Sequence, residues 1–230
     1  MAADQLSLPV ATTSDSPRRR LPSRISPMEA TDVDAPFDDP GYLFEPWWPG
    51  VRAIAFCERG ELRLQVAGLA DAMAAFPELD EMPAQLAEDG VVLDGTLIVL
   101  DDAGRPDADQ LRARLGAQGR PGRPAYVASD LLWSGGQPVV GRSFALRRRW
   151  LEAILTPGDR VTVGRAYTGD GTLVAEALAA LGIDALSARQ LGARHRAGAA
   201  GEAWLRAPVS APEPRPRPTL ALILRLPLGD

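Results

Sequence analysis

The chain has 230 residues, of which 46% are hydrophobic and 24% charged, the composition and length of one large globular domain or two small ones. Its net charge of −5 argues against a strong non-specific nucleic-acid binder, because such proteins are usually basic. One cysteine and one histidine exclude an internal disulfide and a zinc site of the usual ligand set.

The sequence contains no lysine, so all 25 of its basic residues are arginine. A genome rich in G and C favours arginine codons and would explain this bias. The chemical consequence holds whatever the cause. Arginine stays protonated and cannot act as an amine nucleophile, so no mechanism that needs a covalent lysine adduct is open to this sequence.

Neither end of the chain nor its interior indicates a membrane protein. The N-terminus lacks the apolar centre of a signal peptide, and no run of 18 apolar residues is present. The single Cys57 fits a reducing compartment. We therefore expect a cytoplasmic protein that does not bind a membrane.

Composition divides the chain into three regions. Residues 1–27 are rich in Ser, Thr, Pro and Arg and are expected to form a flexible leader, because they cannot bury enough apolar surface to offset their ordering entropy. Residues 28–208 are expected to form the globular domain. Residues 209–230 combine a Pro/Arg linker with an apolar tail, of which residues 219–228 could add an edge strand.

Residues 39–56, DPGYLFEPWWPGVRAIAF, contain two β-prone runs separated by Pro49 and Gly50. A Pro-Gly pair between such runs predicts a tight turn. In one interpretation the runs form a hairpin with Trp47 and Trp48 packed in the core. In the other, the turn brings a ligand close to a main chain that carries no side chain at Gly50. The residues by themselves leave both interpretations open.

The remaining elements mix strands and helices without βαβ alternation or repeats, which predicts an α+β fold built on antiparallel sheets. Residues 144–155 form an amphipathic helix pattern with three arginines, 147–149, on the side expected to face solvent. The predicted strands are 42–48, 51–56, 61–66, 91–100, 126–133, 161–163, 183–191 and 202–207, and the predicted helices are 70–76, 82–88, 107–115, 144–155 and 171–181.

Two residue types that often carry chemistry receive ordinary interpretations here. His195 lies in an Arg-rich loop and is expected to be solvated rather than to act as a general base. Cys57 lies at a strand end and is expected to be a small core hydrophobe.

Taken together and in order, several segments resemble the adenylation domain of ATP-dependent DNA ligases, particularly the bacterial ligase D type. They cover residues 28–208 and include PFDDPGYLFEPWWPGVRAIAF, VVLDG, SDLLWSGGQPVVGR, ALRRRWLEA, LGIDALSAR and GEAWLR. The resemblance implies an ATP-grasp-like nucleotidyltransferase architecture, with two antiparallel sheets flanked by helices and ATP held between the sheets. It also implies transfer of AMP to a lysine and then to a DNA 5′-phosphate.

The position of the family's nucleophile is where this sequence departs most. The family motif Lys-x-Asp-Gly-x-Arg reads Trp47-Trp48-Pro49-Gly50-Val51-Arg52, so Gly50 and Arg52 match while the lysine is Trp47 and the aspartate is Pro49. An indole has no lone pair available to attack a phosphate. The resemblance thus implies a domain without a catalytic nucleophile.

Other pocket positions have changed as well. The family's Leu-Asp-Gly-Glu ends in Thr96, and the aromatic residue that stacks on adenine is Ser129. The ATP and Mg²⁺ that the family implies are therefore in doubt. The residues that the resemblance leaves as nucleotide-binding candidates are Glu45, Gly50, Arg52, Asp94, Asp130, Asp184, Arg189 and Arg206.

Three functions follow as hypotheses. The first is a catalytically inactive adenylation domain that binds a nucleotide, a DNA end or a DNA repair protein. The second is a protein interaction module in which Trp47, Pro49 and Leu69 fill the old ATP cleft and the 147–149 arginines or the tails recruit a partner. The third is an active ligase, although about twenty residues after Pro208 are too few for the family's C-terminal oligonucleotide-binding barrel, which we expect to be absent.

Overall fold

A computed structural model of the chain describes residues 20–198 and 201–209. These residues form two sheets flanked by short helices, which confirms the α+β fold with two sheets. The strands are β1 (Thr31–Asp32), β2 (Asp39–Pro46), β3 (Val51–Glu58), β4 (Glu61–Val66), β5 (Val91–Leu100), β6 (Arg123–Ser134), β7 (Gln137–Pro138), β8 (Val161–Val163), β9 (Tyr167–Gly169), β10 (Ala185–Gln190) and β11 (Trp204–Pro208). The helices are α1 (Ala72–Ala75), α2 (Ala108–Leu115), α3 (Phe144–Ile154) and α4 (Gly171–Ala180), with 3-10 turns at Pro77–Leu79, Met82–Gln85 and Gly201–Ala203.

The larger sheet has the order β4-β3-β5-β6-β7, with β8 added in parallel to β6. Strand β5 lies at its centre and is buried along almost its whole length. Its odd-numbered residues, such as Leu93 and Leu97, pack into the main core with α1, α2 and α3. Its even-numbered residues point to the opposite face, because successive side chains of a strand alternate. Asp94 is one of these residues.

The smaller sheet has the order β1-β11-β10-β2-β9 and carries α4 on its outer face. Val174 and Leu178 of α4 pack on Phe44 and Leu186, and this cluster forms a second core. Asp38 caps the start of α4, because its carboxylate accepts hydrogen bonds from the backbone N–H and the hydroxyl of Thr172. The inner face of this sheet is turned toward the even-numbered face of β5.

The hairpin interpretation of residues 39–56 is wrong. Strand β2 belongs to the smaller sheet and β3 to the larger one, so residues 47–50 cross from one sheet to the other. Within this crossover the N–H of Gly50 donates to the carbonyl of Trp48, which is a three-residue turn around Pro49. Trp47 and Trp48 are half-buried rather than core residues.

The predicted strands and helices listed above occur with ends that differ by a few residues, except that the predicted helix 82–88 is only a 3-10 turn at Met82–Gln85. The short strands β1, β7 and β9 were not predicted, since two or three residues show no periodicity. Of the predicted leader, residues 20–27 pack on the larger sheet, where Leu21 is buried and Gln65 of β4 bonds to the backbone of Ile25. The predicted strand 219–228 lies outside the described residues. No helix among those described could span a membrane.

Candidate functional site

A cavity of about 230 Å³ lies between the two sheets, and we call it the cleft. The smaller sheet contributes residues from β2, β10 and β11, and the larger sheet contributes residues from β3, β5 and β6. The residues that line the cleft are Glu29, Ala30, Glu45, Pro46, Trp47, Trp48, Gly50, Arg52, Asp94, Gly95, Thr96, Val127, Ser129, Ser187, Arg189 and Trp204. The cleft therefore combines aromatic surface with arginines, hydroxyls and carboxylates.

Trp47 lies at the edge of the cleft as part of a stack of aromatic and cationic groups. Its backbone N–H donates to the carbonyl of Ala185 at 3.0 Å, which attaches the crossover to β10. Its ring is 5.5 Å from that of Trp204, and the guanidinium of Arg206 lies 5.2 Å from it on centroid distance. The position that the resemblance aligns with the motif lysine therefore has an indole whose ring contacts Trp204 and Arg206.

Gly50 brings the crossover against β5. A Cβ at this position would lie 2.6 Å from Cγ2 of Thr96 and would overlap the carbonyl oxygen of Leu97. The close approach is therefore to the protein's own strand. The glycine retained from the family motif has a packing requirement that is independent of any ligand.

Arg52 and Asp94 form an ion pair across β3 and β5. Arg52 Nε donates to Oδ1 of Asp94 at 2.8 Å, its Nη2 reaches Oδ2, and its Nη1 contacts the carbonyl of Met28. The Arg52 guanidinium also lies over the Trp204 ring at 4.5 Å. Burial by itself would raise the pKa of the Asp94 carboxyl, but the Arg52 charge outweighs it and holds that pKa below its usual value.

The prediction that arginines 147–149 face solvent is wrong for two of the three. Arg147 and Arg148 have relative exposures of 1% and 4%, and only Arg149 is exposed. Arg147 forms a two-bond pair with Asp130, with distances of 2.8 and 2.7 Å from Nε and Nη2. The amphipathic pattern gave the wrong side because it assigns every arginine to solvent. An arginine can be buried where a buried carboxylate pairs with it.

Arg148 connects the floor of the cleft to both sheets. Its Nη1 donates to Glu45 of β2 at 3.0 Å and to the carbonyl of Ser129 in β6 at 3.3 Å. Its Nη2 contacts the carbonyl of Gly164, and its Nε donates to Glu152 one turn along α3. Helix α3 therefore supplies two buried cations that neutralise carboxylates from opposite sides of the cleft.

Arg189 is a buried cation that lines the cleft, and its Nε forms an ion pair with Glu45 rather than a hydrogen bond. It lies 4.0 Å over the Trp204 ring, donates from Nη2 to Ser129 Oγ at 3.1 Å, and is 3.4 Å from Asp130 and 3.6 Å from Glu45. Its buried Nε has no hydrogen-bond partner among the described residues. Burial lowers the pKa of this guanidinium, although the neighbouring carboxylates oppose the shift.

Two of the candidate residues lie away from the cleft. Asp184 is exposed at the start of β10, and its backbone carbonyl accepts a bond from the N–H of Val209. Arg206 is half-buried beside Trp47 and lies 3.5 Å from Asp32. Glu45, Gly50, Arg52, Asp94 and Arg189 line the cleft, and Asp130 lies directly behind Arg189.

His195 differs from its prediction, since it is half-buried rather than solvated. Its Nε2 is buried and has no hydrogen-bond partner in the described part of the chain. Burial lowers its pKa, and the nearby carboxylates of Asp130 and Asp94 act in the opposite direction. Cys57 is buried in the main core as expected, and burial raises the pKa of its thiol to about 12.

The carboxylates of the cleft do not fit a divalent cation. Mg²⁺ prefers free carboxylate oxygens, whereas Glu45, Asp94 and Asp130 each already pair with at least one arginine. Among residues 20–198 and 201–209, no group of three or more metal-binding side chains is close enough to hold a metal ion. The arrangement is a network of ion pairs in which the buried Nε atoms of Arg189 and the nearby Arg206 make no hydrogen bond to the described residues.

Comparisons with known proteins agree with this geometry, although no family model matches the chain. The chain is 30% identical over 165 residues to the multifunctional non-homologous end joining DNA repair protein LigD of Mycobacterium tuberculosis, a match that covers 72% of the chain and 21% of LigD. It is 32% identical over 203 residues to a probable DNA ligase of Anaeromyxobacter, with 82% of the chain and 39% of the relative covered.

Solved structures give the same result. A mycobacterial DNA ligase D complexed with ATP and MES superposes with a TM-score of 0.70 at 28% identity, covering 80% of this chain and 60% of that one. The ligase domain of Mycobacterium tuberculosis LigD gives a TM-score of 0.69, also at 28% identity, over 79% of this chain and 58% of the other. The chain spans about a fifth of the length of the LigD protein that it matches.

Two facing sheets with a cleft between them, together with these matches, define the adenylation domain of an ATP-dependent DNA ligase. This confirms the resemblance read from the sequence. Within that class the chain is similar to the ligase domains of bacterial LigD proteins, at about 30% identity.

Proposed function

We propose that this chain is a non-catalytic adenylation domain that binds a nucleoside monophosphate group reversibly, without a covalent AMP intermediate. One observation carries the proposal. The cleft has an aromatic and cationic lining that includes Trp204 and Arg189, while Trp47 stands at the position that the resemblance aligns with the nucleophile of the ligase motif. The domain would therefore act by binding.

The loss of catalysis follows from the side chains at hand. Formation of a lysine–AMP bond needs an unprotonated amine, and neither this position nor any other in the sequence holds a lysine. Arg189, the cleft cation that could stand in for a lysine, already contacts Ser129, Asp130 and Glu45. Because a guanidinium stays protonated, it stabilises an anion and does not attack one. An active ligase is therefore the least favoured of the three hypotheses.

The size and charge of the cleft favour a monophosphate over Mg²⁺-bound ATP. At about 230 Å³ the cleft is below the roughly 300–1,000 Å³ of typical ligand pockets. Its carboxylates are paired with arginines, so their oxygens are not free to bind a metal beside a triphosphate. A base with one phosphate needs less volume and no metal.

The lining residues suggest how such a group would be held. Trp204 and Trp47 offer aromatic surface, on which any base can stack. Arg189 Nε makes no hydrogen bond to the described residues and lies 3.6 Å from Glu45 Oε1, and an arginine donates to a phosphate with a charge-assisted bond. The hydroxyls of Ser129 in β6 and Ser187 in β10 also line the cleft. The phosphate would therefore lie toward β10.

The relatives suggest where this binding would be used. Several of the matched proteins are named for non-homologous end joining, and that of Mycobacterium tuberculosis also for DNA repair. A 5′-phosphate at a DNA end presents the same monophosphate chemistry as free AMP. We propose a role at DNA ends in repair. Separate titrations with the free nucleotide and with a DNA end distinguish these two ligands.

Isothermal titration calorimetry tests the proposal with AMP, with ATP in the presence and absence of Mg²⁺, and with a nicked duplex carrying either a 5′-phosphate or a 5′-hydroxyl. We expect AMP or the 5′-phosphate nick to bind, with no gain from Mg²⁺. Replacement of Arg189 by methionine should weaken binding about tenfold or more, because a hydrogen bond to a charged group contributes roughly 1.5–3 kcal/mol. Arg149→Met, on an exposed surface, is the matched control.

Heat from none of these ligands would contradict the proposal and favour the second function, a protein interaction module. The observation in favour of that function is that the charged groups of the cleft pair with one another and that Trp47 stacks on Trp204. The arginine surface that such a module offers to a partner would be smaller than the sequence predicts, since Arg147 and Arg148 are buried.

A further inference from the structure

Helix α4 leaves an apolar stripe exposed beside the smaller sheet. In the described part of the chain the large hydrophobic side chains that are exposed are Tyr167, Leu173 and Leu181, at 55%, 63% and 75%. Leu173 and Leu181 lie at the two ends of α4, and Ala177 and Ala180 are exposed between them. At about 100° per residue Leu173, Ala177 and Ala180 fall within about 60° of one another, and Leu181 follows at the C-terminal end of α4, about 20° from the buried Val174 on the helical wheel.

A groove of about 310 Å³ runs along the same helix and receives the chain where β11 ends. Its lining consists of Asp34, Ala35, Pro36, Thr172, Ala175, Glu176, Ala179, Pro208 and Val209. Val209 is buried against α4 and its N–H donates to the carbonyl of Asp184 at 2.7 Å. Val209, the last described residue, therefore lies in the groove.

The sequence after Val209 matches the groove and the stripe in the same order. Residues 210–218 read SAPEPRPRP, with Arg215 and Arg217 as cations, and residues 219–228 read TLALILRLPL. The groove has two exposed carboxylates, Asp34 and Glu176, and on the helical wheel Glu176 lies between the groove and the stripe. A proline-rich linker extends by about 3.1 Å per residue, so residues 210–218 can cross a helix that is about 10 Å wide.

We propose that residues 219–228 pack in cis on the exposed stripe of α4, with Arg215 and Arg217 crossing the acidic rim at Asp34 and Glu176. The occupant is this chain's own segment, because the tether begins in the groove and gives the segment a high effective concentration there. The interaction covers Leu173 and Leu181 and removes the apolar side chains of the segment from water. It does not depend on what the cleft binds.

The test uses the full chain with two added cysteines, Leu173→Cys and Leu224→Cys, and a short bismaleimide. The native Cys57 does not compete, since it is buried and its thiol pKa is about 12. We expect a cross-link within one chain, in a yield independent of dilution. The yield should be more than about tenfold that of the control pair, Arg149→Cys with Leu224→Cys. In this control the first cysteine is at an exposed position of α3.

Other cross-linking results would overturn the proposal. Dimers whose yield falls on dilution would place the segment on a second copy, and a yield equal to the control would leave the stripe without this occupant.

Trypsin gives a second measurement, on the chain without the two added cysteines. Cleavage after Arg225 should become at least about tenfold faster in the Leu173→Asp, Leu181→Asp variant, in which the stripe is charged. The bonds after Arg215 and Arg217 precede prolines and resist the protease, so Arg225 reports on the segment itself. Equal rates in the two proteins would also overturn the proposal.

Discussion

Replacement of the buried Arg147 by alanine should destabilise the protein far more than replacement of its exposed neighbour Arg149. The substitution leaves the Asp130 carboxylate buried with one of its two cationic partners gone, and Arg189 remains only at 3.4 Å. It also removes donors from the carbonyls of Arg142 and Ala193.

The size of the effect can be worked from this environment. Removal of one partner from a buried ion pair costs about 3–5 kcal/mol, because the other charge stays in a site of low dielectric. Total stabilities of domains are about 5–15 kcal/mol, so the loss is a large fraction of the whole. With a urea m-value of about 2 kcal/mol per molar, the midpoint should fall by about 1.5–2.5 M.

Urea unfolding followed by tryptophan fluorescence measures this shift, with Arg149→Ala as the matched control. Arg149 is the adjacent arginine on the same helix but is exposed, so its loss should change stability by no more than about 0.5 kcal/mol. A double-mutant cycle with Asp130→Ala should give a coupling energy of about 1–3 kcal/mol. Equal effects of Arg147→Ala and Arg149→Ala, or a coupling near zero, would refute the buried pair.

Three further predictions concern the crossover, acid stability and the thiol. Gly50→Ala should cost about 1–3 kcal/mol because its Cβ would overlap β5, whereas Gly141→Ala, with open space around it, should be nearly neutral; equal urea midpoints would contradict the packing. Because Arg52 holds the pKa of Asp94 below its unfolded value, the stabilisation is present above about pH 4 and lost as the pH falls through the folded pKa. The stability difference between wild type and Asp94→Asn should therefore shrink in acid, and a constant difference would argue against the pair. Cys57 should react with a thiol reagent only after unfolding, since burial raises its pKa to about 12; fast labelling of the native protein would refute this.

The strands and helices could be predicted because their periodicity is local. Strand β5 is a continuous apolar run, and the pattern over residues 144–155 has a helical period, so both were placed from sequence. The class of fold followed from the order of these elements. The ligase motif text then identified the residues around the cleft, because motif spacing is also a local property of the sequence.

The partners of charged residues could not be predicted in this way. Arg147 and Arg148 have the sequence pattern of an exposed helix face, but Asp130 and Glu45, which neutralise them, lie 17 and 103 residues away. The hairpin at Pro49-Gly50 failed for a similar reason, since a turn signal does not say which sheet the next strand joins. Both outcomes depend on long-range packing, which a local pattern does not contain.

The central claim is that the ligase fold is kept here without the covalent step. Incubation of the purified chain with radiolabelled ATP and Mg²⁺, followed by denaturing electrophoresis and intact-mass measurement, tests it directly, with an active ATP-dependent ligase as the positive control. We predict no labelled band and no added mass of AMP, because Trp47 cannot attack the phosphate. A stable AMP adduct on this chain would contradict the account.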